Sequence, residues 1–396
     1  MTLMTAVLGI AGVVMAPIME EFGWSRSVVT SNILILSTLT FLMAPFSGKI
    51  IQRFGLRPFA ATCIAIAVPC LILVTQTTAA PASWYGIWVL YGLINLGLGP
   101  VVWSTAVATL FDRSRGLALA ITLSGSGIAY MIFPPISLAV VHNFGWRGVY
   151  VLLAALFLFV QLPLTLLWCK TREDLDNPTG GGEATQGAAT KAAPVYPGFT
   201  LAEALQRRQF WQLMALSVVV SMVEGAMAVH LFPILSEGGL DGASAAGIAG
   251  LMGLSMIAGR LGAGALLDRF DGVKVFASAI GLIVLASLLA RTFDGSRLEG
   301  IVISVALGVG SGATTNVIAY ITSRYFGLKA YASIFGILLG TFALGIGAAP
   351  TIASYLRDVM DTYTPMFSGF AIVMAAAVVV TLALGRPPLF ETRSSP

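Results

Sequence analysis

Two charged side chains stand where charge is expensive. Of the forty charged residues in this 396-residue chain, only Glu224 and Arg260 fall well inside long apolar runs. Burying either at the centre of a bilayer costs at least about 2.5 to 3.5 kcal/mol, so each needs a compensating role. Arg260 lies eight residues before Asp268, which puts it about 12 Å from that end of a helix. A planar guanidinium that cannot lose its charge is suited to grip a carboxylate through two parallel hydrogen bonds. Its alternative use is to cap a buried backbone carbonyl or to hold a polar neighbour across a helix contact. Glu224 is the candidate proton carrier, since a carboxyl sheltered from water can exist with or without its proton. The alternative is a carboxyl satisfied by neighbouring hydroxyls or lining an outer vestibule. It sits about 22 Å along its helix, leaving about 10 Å of height between the two groups. Coupling through substrate or water is therefore easier to arrange than a direct ion pair.

Uncharged polar residues form a second layer. Asn95, Tyr130 and Asn316 are the first choices for hydrogen-bonding a small anion, ahead of Asn32, Ser124, Ser126, Thr314 and Thr315. Equally, Ser, Thr and Asn serve as interhelix glue at about 1 kcal/mol each. His230, six residues beyond Glu224, either hands protons inward or sits at the membrane interface. With His142 it completes the histidine inventory, and the three cysteines make no paired framework. No metal-ligand spacing, Ser-His-Asp set or phosphate-binding loop occurs, so neither an enzyme nor a metal or cofactor is expected.

The elements that must carry these residues are membrane spans. Hydrophobic residues make up 57% of the chain, charged residues only 10%, and the mean hydropathy is +0.89. That composition excludes a separate soluble catalytic domain, and at roughly 20 apolar residues per crossing it leaves room for about twelve spans. Apolar stretches fall near 1–19, 27–47, 59–78, 84–110, 117–140 and 148–168, then near 209–232, 243–266, 273–290, 298–322, 331–353 and 364–384. They are too long for strands and lack a period of two. Pro134-Pro135 is expected to kink the fifth.

With the first span starting in the cytoplasm, sixteen Lys and Arg fall in inside loops and five in outside loops. This satisfies the positive-inside rule for a multi-pass protein of the cell membrane with both termini cytoplasmic. The first run lacks a positive flank and a small-residue cleavage site, and reads as an uncleaved helix. Four segments result: a six-helix bundle over 1–168, a Gly-, Ala- and Pro-rich linker over 169–208, a second bundle over 209–384 and a tail over 385–396. Residues 199–208 suit a short amphipathic helix, with Leu201, Ala204 and Leu205 toward lipid and Glu203, Arg207 and Arg208 toward water. The basic residues are scattered, which argues against a nucleic-acid partner.

The two bundles repeat. Gly48-Lys49-Ile50-Ile51-Gln52-Arg53-Phe54-Gly55 recurs as Gly264-Ala265-Leu266-Leu267-Asp268-Arg269-Phe270-Asp271, 216 residues later. The same offset brings the Gly-rich fourth span, Gly92 to Pro100, onto the Gly-rich tenth, Gly308 to Gly312. Parallel six-span repeats describe a transporter that works by alternating access, with its substrate between the halves. Arg53, Arg57, Asp268 and Arg269 at the cytoplasmic helix ends then make sense as a gate that pairs across the interface, or as topology anchors.

On these loop motifs the chain resembles the major facilitator superfamily, whose signature is Gly, three residues, Asp-Arg, then Gly and basic residues. Its first copy departs by placing Gln52 at the acid. Glu21-Phe22-Gly23-Trp24-Ser25, Phe144-Gly145-Trp146-Arg147 and Arg324-Tyr325-Phe326-Gly327 look like the monocarboxylate transporters and bacterial oxalate/formate-type carriers. The resemblance implies an all-α fold of twelve helices in two pseudo-symmetric bundles and a substrate-binding Arg on the eighth helix, where Arg260 stands. That branch often carries an Asp one turn earlier, here Met256, and a lysine in the first helix, whereas no Lys occurs before Lys49.

The expected function is therefore secondary active transport of a small organic anion, a monocarboxylate by the resemblance, with protons as the coupling ion and the bilayer as the setting. A single chain contains the complete pathway. The rivals are an anion exchanger, a proton-driven exporter of hydrophobic drugs in which Glu224 meets the substrate, and a receptor on a transporter fold.

Overall fold

The computed structural model describes residues 2–99, 102–103, 115–168, 198–327 and 329–388, with the side chains of 44–52, 96, 115–120, 168 and 332 outside the description. The linker stretch 169–197, the tail from 389, and the side chains of Lys49, Gln52, Arg113 and Arg115 accordingly lie outside the described residues.

All long elements among the described residues are helices. The first half contains α1 (Thr2–Phe22), α2 (Arg26–Phe54), α3 (Leu56–Val74) and α4 (Pro81–Ile94), the last prolonged by a 3-10 turn, Asn95–Leu98. A long run follows, Arg115–Leu156, then a π segment Phe157–Gln161 and Leu162–Trp168. It folds back at Gly145, whose φ of 69° and ψ of 177° suit a residue without a Cβ. We label 115–144 α5 and 146–168 α6. The second half contains α7 (Arg208–Glu237), α8 (Gly242–Leu267), α9 (Gly272–Thr292), α10 (Arg297–Phe326), α11 (Tyr331–Met360) and α12 (Thr364–Leu382).

Ten stretches among the described residues are long and apolar enough to cross a membrane. One of them, Ile121–Leu167, spans 47 residues and supplies both α5 and α6; α4 with its extension completes twelve. The run breaks at Gly145, in the gap expected between the fifth and sixth spans. Both prolines lie inside the helix, and Gly145 is its non-helical residue. Leu167, Leu261, Ile372 and Val379 turn outward, as side chains facing lipid must.

Helix pairing repeats between the halves. α1 packs on α5 as α7 packs on α11, α2 on α4 as α8 on α10, and α3 on α6 as α9 on α12. Each half has its own apolar core, one drawn from residues 6–157 and one from 204–384. Two residues cross over: Tyr130 packs into the second core and Val229 into the first. Between the halves run the seams α5·α8 and α2·α11, which the repeat exchanges, and the contact α1·α7.

An even number of crossings brings both chain ends to one face, here the terminal end, opposite the distal end. Near the terminal end a one-turn helix, Leu201–Leu205, is capped by Thr200 and Glu203 in a reciprocal box. Ala204 is buried while Leu205, Arg207 and Arg208 are exposed. Phe199 donates its amide to the Phe326 carbonyl at 2.8 Å, docking this segment on the end of α10.

Candidate functional site

The seam α5·α8 brings Arg260 to the other half. Glycines make this approach possible: a Cβ on Gly253 would overlap the backbone of Gly127 and Met131, and one on Gly250 would press on the Met131 carbonyl. Across that contact Arg260 is half-buried, and its Nη1 donates to the Leu123 carbonyl and, at 3.4 Å, to Ser126 Oγ. The guanidinium thus makes the carbonyl-capping contact that the sequence offered as its alternative use. Its own backbone carbonyl accepts from Asn316 Nδ2 at 3.0 Å.

Glu224 is buried in α7 with 5% exposure, and its Oε1 accepts from Thr314 Oγ1 of α10 at 2.6 Å. No ion pair joins Glu224 to Arg260 among the described residues, as the height difference suggests, yet each lies in the other's field. Tyr130 of α5, 8% exposed, is coupled electrostatically to Glu224 as well. The structure therefore gathers Arg260, Glu224, Tyr130, Asn316 and Thr314 where the halves meet. Chemically, the group offers a fixed cation, an acid able to change charge and hydroxyl or amide donors, with no metal-ligand cluster among the described residues.

Asn95 stands apart from this group. It is buried at the end of α4 and donates from Nδ2 to Thr40 Oγ1 of α2 at 3.0 Å, a bond inside the first half. Among the described residues, the terminal-end charges show no pairing across the halves either. Arg57 donates to the Leu166 carbonyl within its own half, Arg53 lies over the Phe54 ring at 5.6 Å, and Asp268 ends α8 as its C-cap with the exposed Arg269 next to it.

The ion pairs between halves, among the described residues, are at the distal end. Arg26 Nη1 meets Glu237 Oε1 at 2.8 Å and its Nε lies 3.9 Å from Asp358 Oδ1; within the second half, Arg357 Nη2 reaches the same Glu237 at Oε2, 3.2 Å away. Beneath this cluster His230 is fully buried. Its Nδ1 is 3.0 Å from Tyr363 Oη, and its Nε2 lies 3.2 Å from both the Pro350 carbonyl and Ser354 Oγ. Tyr363 in turn accepts from Arg26 at 3.2 Å, and Ser354 accepts from Thr30 at 3.0 Å. Sequence reasoning treated Arg26 and Arg357 as loop charges and passed over Glu237 and Tyr363. Charged residues at the helix ends of opposite halves were the available signal, but Arg26 finds its partners Glu237 and Asp358 more than 200 positions away.

Two of the branch-like motifs, Glu21 to Ser25 and Phe144 to Arg147, also work at the distal end. Trp146 Nε1 donates to Glu21 Oε2 at 2.7 Å, Arg147 grips the same carboxylate with both terminal nitrogens at 2.6 Å, and its Nε donates to the Thr75 carbonyl. Trp24 Nε1 donates to the Ala79 carbonyl at 2.8 Å. These bonds tie α1, α3 and α6 into one rigid end.

Comparison with known proteins agrees with this architecture. A family model described as Major Facilitator Superfamily matches residues 1–296. Mouse monocarboxylate transporter 12 is 26% identical over 376 residues, covering 87% of this chain and 75% of that protein. Bovine monocarboxylate transporter 13 is 24% identical over 350 residues, covering 86% and 76%. The Escherichia coli K12 MFS-type transporter YhjX is 23% identical over 316 residues, covering 78% and 74%. Among solved structures, the nucleoside transporter NupG superposes with a TM-score of 0.75 at 12% identity, covering 97% of this chain and 98% of that one. A bacterial homologue of the human lysosomal transporter Spinster gives 0.66 at 16% identity, covering 97% and 92%.

Proposed function

The chain belongs to the Major Facilitator Superfamily, and from that premise we propose that it carries a small organic anion, a monocarboxylate, across the cell membrane by proton-coupled alternating access. The observation that carries this reading is geometric: Arg260 reaches across the α5·α8 seam to Leu123 and Ser126, while Glu224 is buried against Thr314 of α10, the helix whose Asn316 holds the Arg260 carbonyl. The names of the two monocarboxylate transporters, at 26% and 24% identity, support the cargo class. The positive-inside bias assigns the terminal end to the cytoplasm, so this conformation is closed outward by the Arg26 and Glu237 cluster.

In the cycle, a carboxylate entering from outside releases Arg260 Nη1 from the Leu123 carbonyl and takes its place. Glu224 takes up a proton from the outside solution, relayed by water, which offsets the added negative charge. The neutral combination then crosses as the halves rock, with Tyr130 and Asn316 beside the bound anion, while Arg53, Arg57, Asp268 and Arg269 close the cytoplasmic end in the opposite state. Asn95 acts in this scheme through α2, by fixing the end of α4.

The test is uptake of labelled monocarboxylates into proteoliposomes with and without an inward proton gradient. Arg260→Lys keeps the charge and loses the fork, which should cost about 1.5 to 3 kcal/mol of anion binding, tenfold or more. Glu224→Gln should abolish stimulation by the gradient and leave exchange intact. Uptake unchanged in Arg260→Lys would reduce the side chain to a point charge or a helix tie. One contact favours a second reading, export of hydrophobic drugs with Glu224 at the substrate: Arg260 is engaged by a backbone carbonyl. In that case Arg260→Ala spares drug efflux and no carboxylate is taken up.

A further inference from the structure

Thr314 has one hydroxyl proton and three acceptors within reach. Its Oγ1 lies 2.6 Å from Glu224 Oε1, 3.0 Å from the Gly310 carbonyl and 2.9 Å from the Ser311 carbonyl. When Glu224 is ionised, the carboxylate accepts only, so the hydroxyl proton points to Oε1 and the backbone carbonyls lose it. When Glu224 is neutral, its O–H donates to Thr314 Oγ1, and the hydroxyl proton returns to the carbonyl of Gly310 or Ser311. The heavy atoms serve both states; the proton on Glu224 decides whether Thr314 is bonded back onto its own helix. Such back-bonding by Thr bends helices.

The segment affected is the one that holds α8. A Cβ on Gly308 would strike the Met252 carbonyl, and one on Gly312 would strike Met256 and lie 3.0 Å from the Arg260 amide. Backbones in that contact move together, since no flexible side chain separates them. Two residues beyond Thr314, Asn316 Nδ2 fastens the Arg260 carbonyl at 3.0 Å. Helix α10 therefore touches the acid on one side and the backbone of the cation on the other.

We propose that Thr314 and Asn316 form a coupling strap on α10, positioning residues through which the proton on Glu224 sets the placement of Arg260. This rests on the transport reading above for its purpose, and on the three hydrogen bonds for its mechanism. The charged and titratable groups that face Glu224 across helix contacts are Arg260 from α8 and Tyr130 from α5, and neither is altered in the test.

The experiment compares wild type with Thr314→Val, which keeps shape without the hydroxyl, Thr314→Ser, which restores it, and Asn316→Ala. Purified protein is titrated in nanodiscs, and the pH-induced infrared difference spectrum is recorded without substrate. A carboxyl band missing in Glu224→Gln should titrate together with an amide I change in wild type and Thr314→Ser. In Thr314→Val the carboxyl band should persist and the amide I change vanish. In proteoliposomes loaded with pyruvate as probe, Thr314→Val should cut proton stimulation of uptake at least about 5-fold, the low end of a coupling interaction, while pyruvate counterflow continues; Asn316→Ala should likewise cut the stimulation. A Thr314→Val spectrum like wild type overturns the strap, as does loss of counterflow together with stimulation in well-folded protein. Wild type that takes up no pyruvate overturns the cargo reading alone, since the infrared arm still decides the strap.

Discussion

At the scale of single residues, the distal end turns on the direction of one hydrogen bond. Tyr363 accepts from Arg26 and sits 3.0 Å from His230 Nδ1. Burial pushes its phenol up to about 12, so the hydroxyl keeps its proton throughout the working range and donates it to Nδ1. The imidazole proton is then on Nε2, directed at the Pro350 carbonyl and Ser354 Oγ. From Arg26 through Tyr363, His230 and Ser354 to Thr30, the chain begins and ends on α2 of the other half, so both ends must let go for the distal end to open. Tyr363→Phe removes the middle of it and leaves a buried ring nitrogen without its donor, a cost of about 1 to 3 kcal/mol. The closed population should fall roughly five- to a hundredfold relative to the open one. Spin labels on exposed Thr78 and Thr292 should report a longer distance population by pulsed electron resonance, and an unchanged distribution would remove His230 from the closure. The sequence exposed Glu224 and Arg260 because charge inside an apolar run is conspicuous. It concealed His230 because an imidazole near a helix end is ordinary, and only the fold brings Tyr363 beside it.

At the scale of helices, the seams are backbone contacts, and glycine position decides what they tolerate. On α8, Gly253 faces Gly127 and Met131 so closely that a Cβ would collide with backbone atoms, whereas Gly247 on the same helix has nothing within 4 Å. Gly253→Ala should part α5 from α8, withdraw Leu123 from Arg260 and lower both thermal stability and transport. Gly247→Ala should be neutral or gain up to about 1 kcal/mol from helix propensity. Melting curves of the two variants in one detergent check the contrast; equal effects would mean that the seam relaxes freely. Apolar runs announced all twelve helices, because nothing else can bury a backbone in lipid. Their ends were less legible: α2 continues to Phe54 and α11 to Met360, past the apolar stretch, since a helix needs no hydrophobicity where it meets water or a neighbour. The turn between α5 and α6 falls at Gly145, inside the gap that separates the apolar stretches 117–140 and 148–168.

At the scale of the whole molecule, the repeat of 216 residues is what makes two closures interchangeable. The α5·α8 and α2·α11 seams exchange under it, so a motion that opens one end of both tightens the other. Only the distal end carries interhalf ion pairs among the described residues, and Glu237 is their hub: it holds Arg26 from the first half and Arg357 from its own. Its side chain is 37% exposed, so each pair contributes about 0.2 to 1 kcal/mol and weakens in salt. Those small terms matter because the two conformations of a transporter must lie close in energy, and about 1.4 kcal/mol moves the ratio tenfold. Raising ionic strength should therefore shift wild type toward the distal-open state. Glu237→Gln should start further open and lose most of that salt response, since among the described residues the arginines then keep Asp358 and Asp361 as anionic partners. The same Thr78 and Thr292 label pair, measured from low to high salt in both proteins, reads the difference. A salt response of equal size in Glu237→Gln would transfer the closure from these charges to the buried chain through His230.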